Sequence, residues 1–117
     1  MIHPILKEIH IFTDIDTNSD NFCIALVLDI GISHENEAID QFYCSVMSTK
    51  ALKEILISEL HFSGRGCIFM EKFILSDIKK VIEDILSNIK GETWEQVAHN
   101  INKYFPWEYD NYNMTKM

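Results

Sequence analysis

Gln41-Phe42-Tyr43-Cys44-Ser45-Val46 sets Phe42, Cys44 and Val46 on one side of an extended chain and Gln41, Tyr43 and Ser45 on the other. Successive side chains point to opposite faces in a β-strand, so this segment reads as a strand with one half-buried face. Further along, the period changes. From Ser76 to Ile89 the apolar residues Ile78, Val81, Ile82, Ile85, Leu86 and Ile89 recur at i, i+3, i+4 and i+7, the spacing of one helix face. Strands in the first half and helices mostly in the second, joined by hairpin-length connections, predict an α+β fold: an antiparallel sheet of about four strands with helices packed mainly on one face.

Upstream of the alternating strand, Phe22 to Ile32 is almost continuously apolar, with Asp29 as its only charge. Such a run fits a strand covered on at least part of both faces. Ile5 to Phe12, with apolar residues at Ile5, Ile9 and Ile11, predicts a first strand. Thr13 to Asn21 between them is a polar loop interrupted by one Ile, and Gly31 with Ser33-His34-Glu35-Asn36-Glu37 marks the next reversal.

Downstream, Ser48 can cap a short helix through Ile57 with Leu52, Ile55 and Leu56 on its inner face. Gly64-Arg65-Gly66 permits a tight turn, and Cys67-Ile68-Phe69-Met70 reads as a strand running to about Phe73. Ser76 is placed to cap the long helix and Gly91 to end it. Thr93 with Gln96 three residues on makes a capping box for a last helix, with Trp94, Val97, Ala98 and Ile101 on its core side, and Pro106 stops it. The last two helices are thus C-terminal. With no repeat and no linker-like stretch, residues 1–117 are expected to form one domain.

The 117 residues carry 18 Asp and Glu against 10 Lys and Arg, a net charge of −8. This balance repels phosphate backbones, which argues against a nucleic-acid partner, and attracts basic proteins. Cys23, Cys44 and Cys67 are odd in number and lie singly in apolar segments, the pattern of buried thiols in a reducing compartment. The start of the chain lacks a basic region leading into a long apolar stretch, and no apolar run approaches the ~20 residues of a membrane span, so no membrane association is expected. A cytoplasmic location follows as the expectation.

Motifs for chemistry fail at required positions. Asp14-x-Asp16-x-Asn18 imitates the start of a calcium loop, yet Ser19 stands where Gly is needed and Ala25 where a bidentate Glu is needed. His3, His10, His34, His61 and His99 lack zinc-motif spacing, and Gly64-Arg65-Gly66 lacks the rest of a phosphate loop. No nucleophile elbow is present. The reading is a non-enzyme with no catalytic residue, no metal and no cofactor.

The end of the sequence is where aromatic residues concentrate. In Pro106-Trp107-Glu108-Tyr109-Asp110-Asn111-Tyr112, three rings alternate with two carboxylates. Rings of this size bury on the order of 150–250 Å² each, so the segment is expected to dock, onto the domain's own core or onto a partner. Together, Gly91-Glu92-Thr93-Trp94-Glu95-Gln96-Val97-Ala98 and Tyr104-x-x-Trp107-Glu108-Tyr109-x-x-Tyr112 resemble the immunity protein 8 family of bacterial polymorphic toxin and contact-dependent growth inhibition systems. His3-Pro4-x-Leu6-Lys7 and Gly64-Arg65-Gly66 sit in compatible places, whereas His61-Phe62 stands where that pattern has a Trp nearby. The resemblance implies a cytoplasmic α+β protein that binds and neutralises a cognate toxin domain, without catalytic residue or cofactor. It also marks Trp94, Trp107, Tyr109 and Tyr112 as its structural motif. The other reading is a non-catalytic interaction module or assembly subunit that uses the aromatic C-terminal segment. Oligomeric state is left open. Because loops bear binding residues more often than strands do, the expected partner surface draws on Asp14, Asp16 and Asp20, on Glu35 and Glu37, or on Glu108 and Asp110.

Overall fold

The period-two segments become neighbouring strands. A computed structural model describes residues 1–16, 18–33 and 38–110, and within them the order is β1 (Ile5–Ile11), β2 (Cys23–Gly31), β3 (Asp40–Met47), α1 (Thr49–Glu59), β4 (Cys67–Phe69), α2 (Leu75–Ser87) and α3 (Trp94–Asn102). The four strands form one sheet in the order β1-β2-β3-β4. β1 with β2 and β2 with β3 pair antiparallel, as expected. β4 pairs parallel to β3, Ser45 opposite Cys67 and Met47 opposite Phe69. The sheet is therefore mixed rather than wholly antiparallel. The cause is α1, which makes the β3–β4 connection a crossover rather than a hairpin and returns the chain in the same direction.

The core lies on one face of this sheet. Leu6, Ile24, Leu26, Leu28, Ile30, Phe42, Cys44 and Val46 from the strands meet Ile78, Ile82 and Leu86 of α2 and Val97, Ala98 and Ile101 of α3 in one buried cluster. Register explains how β1 joins it. A bulge between Leu6 and Glu8 sets Leu6 opposite Ile30 but Glu8 opposite Asp29. The extra residue turns Leu6 towards the core and Glu8 to the other face, although simple alternation would put them on the same side.

Local signals hold with adjustments. Ser48 caps α1: its Oγ accepts hydrogen bonds from Ala51 N at 3.2 Å and from Phe22 N at 3.0 Å. Thr93 caps α3, its Oγ1 accepting from Gln96 N at 3.2 Å, while Gln96 Oε1 accepts from Glu92 N at 3.0 Å. By contrast, α2 begins one residue before Ser76, has Ile74 as its N-cap and lacks a side-chain cap bond. Gly91 does not end α2, which stops at Ser87. Gly91 instead exchanges backbone hydrogen bonds with Ile2 at 2.8 and 3.1 Å. In α1 only Ala51 is buried; of the expected inner face Leu52 and Ile55 are half-buried and Leu56 is exposed, while Ile57 is 84% exposed. Trp94 is half-buried at the rim of the core rather than within it. Of the three thiols, Cys44 is buried, Cys67 intermediate and Cys23 exposed, which corrects the expectation for Cys23. It falls on the face of β2 away from the core.

Candidate functional site

Two surfaces carry chemistry: the sheet face opposite α2 and α3, and the aromatic corner where the C-terminal segment returns. On the sheet face, the antiparallel register sets Glu8 beside Asp29 and Asp29 beside Gln41, then His10 beside Val27 and Val27 beside Tyr43. His10 Nε2 lies 2.6 Å from Asp29 Oδ2 and 3.9 Å from Glu8 Oε2, and Gln41 Nε2 donates to Asp29 Oδ1 at 3.3 Å. These bonds satisfy a carboxylate that is only 7% exposed. The imidazole pKa is raised. Its hydrogen bond with Asp29 is the largest cause, partial desolvation opposes it, and the charges of Asp29 and Glu8 add to the rise. Phe12 stacks on the imidazole, centroids 6.1 Å apart, which places it on the same face.

Glu8, His10 and Asp29 are also, among the described residues, the group whose possible metal-ligand atoms all lie within 4.8 Å of one another. His10 and Asp29 already satisfy each other through the atoms a cation would need, and Glu8 is exposed. The trio reads as a His10–Asp29 hydrogen bond with the Glu8 charge nearby. Beyond it the face turns apolar. Ala25, Val27 and Tyr43, with Ser45, Gly66, Pro106 and the stem of Arg65, line an open hollow of about 170 Å³. The Arg65 guanidinium is engaged elsewhere, donating to the Asn102 carbonyl at 3.4 Å and lying 3.9 Å from Asp110. Gly66 closes the hollow with φ +79°, and a Cβ there would sit 2.8 Å from Pro106 Cδ, so both conformation and space require glycine.

At the aromatic corner, Pro106 to Glu108 run along the outer edge of β3. Tyr43 N donates to Pro106 O at 2.8 Å and Glu108 N to Gln41 O at 3.0 Å, in a bridge between Phe42 and Trp107. The Trp107 ring stacks on Phe42 and meets His99 and Tyr109 edge-on. Its Nε1 donates to Asp40 Oδ2 at 3.1 Å, and Trp94 Nε1 donates to the same oxygen at 2.8 Å. One carboxylate oxygen thus ties together the two tryptophans of the chain. The charges of Glu108 and then Asp40 push the Tyr109 phenol above its usual range.

The acidic residues singled out in the sequence are distributed as follows. Asp14, Asp16 and Asp20 are exposed in the first loop. Asp16 accepts from Asn18 N at 3.0 Å, and Asp20 pairs with Lys50 at 3.1 Å. Glu108 Oε1 accepts from Gln41 N at 3.1 Å, and Asp110 accepts from Asn102 Nδ2 at 3.1 Å. Glu35, Glu37 and Tyr112 lie outside the described residues. The first loop enters β2 at Cys23 and Glu108 sits beside Gln41, whose β2 partner is Asp29. The two clusters are therefore roughly 20 Å apart at ~3.3 Å of strand per residue, and the fold does not bring them together. Sequence reading missed Asp40, His10 and Phe12 as members of these sites. Asp29 was visible as the lone charge in an apolar strand, and that was the usable signal.

Among the described residues no helix is long and apolar enough to cross a membrane. No curated protein and no solved structure matches the chain. The family model described as Immunity protein 8 matches residues 6–112, a span that takes in the bulged first strand, the open sheet face, both tryptophans and the C-terminal segment, and the chain belongs to that family.

Proposed function

We propose that this protein is a non-catalytic inhibitor that binds the toxin domain encoded beside it in a polymorphic toxin system and neutralises it in the cytoplasm. The observation that carries this reading is the family match over residues 6–112. The net charge of −8 supports a basic toxin, for which a nuclease is the natural class, because an acidic inhibitor can present carboxylates where phosphates would lie. Asp14 and Asp16, exposed beside the end of β1, are proposed to steer that encounter. Asp20, Glu108 and Asp110 contribute to the same negative field while holding partners within the fold.

The reading of a module that docks through its aromatic C-terminal segment loses ground, since the Trp107 ring and N–H are both used internally. The test is co-expression with the product of the adjacent gene. Growth rescue together with a stoichiometric complex in calorimetry is the expected result. Unrescued growth with no complex defeats the inhibitor reading.

A further inference from the structure

An antiparallel sheet with one solvated face normally shows hydrophobic residues inward and polar residues outward. β2 does not. Its inward residues Ile24, Leu26, Leu28 and Ile30 are buried in the core, yet its outward residues Cys23, Ala25 and Val27 are apolar as well. The sequence thus describes a strand covered on both sides, whereas the fold covers only one along most of its length. Neighbouring strands continue the pattern: Tyr43 stands 43% exposed next to Val27, and Phe12 is 77% exposed beside His10.

We infer that the open face of β1, β2 and β3, centred on Val27 and Tyr43, is where the cognate toxin domain docks, with an apolar side chain in the hollow beside Tyr43 and a lysine or arginine against the exposed Glu8. This rests on the inhibitor reading and names its surface. Charge selects the occupant. Of the outward carboxylates Glu8 is exposed while Asp29 is buried against His10; Lys7 reaches over Gly31 and Arg65 is directed to Asn102 and Asp110, and with Asp14 and Asp16 exposed just beyond Phe12 the rim of the face is acidic on balance. A basic partner is matched by this face. An anionic lipid surface or nucleic acid would be repelled by it. The arrangement also resembles a binding hot spot, with apolar and aromatic residues in the middle and polar residues around them. Phe12 leads directly into Asp14 and Asp16, so the residues proposed for steering border the same face.

The experiment uses the full chain and the toxin domain from the adjacent gene, measured by calorimetry and growth rescue. Ala25→Arg and Tyr43→Ala are the test variants, and Glu83→Arg, on the exposed side of α2, is the control. Each is first checked for the wild-type circular dichroism spectrum and elution volume. The expected result is a loss of affinity of about 30-fold or more for both test variants, the scale of a disrupted hot spot, with Glu83→Arg within about threefold of wild type. Hydroxyl-radical footprinting of the unmodified protein gives a second readout independent of folding in the variants: the toxin should shield Phe12 and Tyr43. If wild type binds the toxin while both folded test variants bind equally well and Phe12 and Tyr43 stay reactive, the face is not the docking surface and the inhibitor reading stands without it. A wild-type dimer that Ala25→Arg splits with toxin affinity intact assigns the face to a second copy of the chain and overturns the inference. Failure of the wild type to bind or protect removes the inhibitor reading itself.

Discussion

Replacing Asp40 with alanine removes the single acceptor shared by Trp94 Nε1 at 2.8 Å and Trp107 Nε1 at 3.1 Å. A hydrogen bond to a charged group contributes about 1.5–3 kcal/mol, so two set an upper bound of roughly 3–6 kcal/mol. Both indoles are half-buried, and water can reach their N–H groups once the carboxylate is gone. That places the expected cost of Asp40→Ala at about 2–4 kcal/mol. Asp40→Asn keeps an oxygen in place without the charge and should lose about half as much. The chain has two tryptophans, both at this site, so intrinsic fluorescence during urea unfolding reports stability and local structure together. A cycle with Trp107→Phe isolates one of the two bonds. In that background Asp40→Ala should cost clearly less than in the wild type. An Asp40→Ala protein within about 0.5 kcal/mol of wild type, or an equal loss in both backgrounds, would refute the shared-acceptor account.

Three further outcomes are expected. His10 has its pKa raised by Asp29, so its contribution to stability is fully present below the unfolded value of about 6.5 and is lost as pH rises through the folded value. The urea midpoint of the wild type should therefore fall relative to that of His10→Gln between about pH 5.5 and pH 8.5, and parallel profiles would contradict this. Under native alkylation Cys23 should react first, and Cys44, whose thiol is pushed up to about 12 by burial, only after unfolding; mass spectrometry of the labelled peptides gives the order. Ser48→Ala strips the acceptor from the backbone N–H groups of Phe22 and Ala51 and should cost about 1–3 kcal/mol by urea titration.

How far the sequence could be read depended on whether a feature leaves a periodic trace. The alternation in Gln41 to Val46 and the 3.6-residue period of α2 survive as β3 and as the buried series Ile78, Ile82 and Leu86. The Thr93 cap is written in side-chain chemistry and was equally visible. Strand direction has no period, so the parallel pairing of β4 could not be read from Cys67 to Met70. The bulge between Leu6 and Glu8 was hidden too, because one inserted residue resembles an ordinary irregularity until the partner register is known. Asp40 looks like any other carboxylate near a turn. It acquires its role only when α3 and the C-terminal segment converge on it from 54 and 67 residues away. The apolar outward side of β2 was legible all along; what the residues alone leave open is which body covers it.

The short segment from Pro106 to Glu108 also sets a condition on synthesis. Until it emerges, the β3 edge beside Gln41 and Tyr43 offers unpaired backbone groups, and such edges are templates for pairing with other chains. Tyr43 waits for a partner more than sixty positions later, a non-local closure of the kind that slows folding. A nascent chain halted before this point would hold most of its sheet and helices yet remain adhesive. Ribosome-bound or truncated forms ending near Phe105 should therefore aggregate or recruit chaperones, and completion of a few residues should convert the chain abruptly to a self-contained particle.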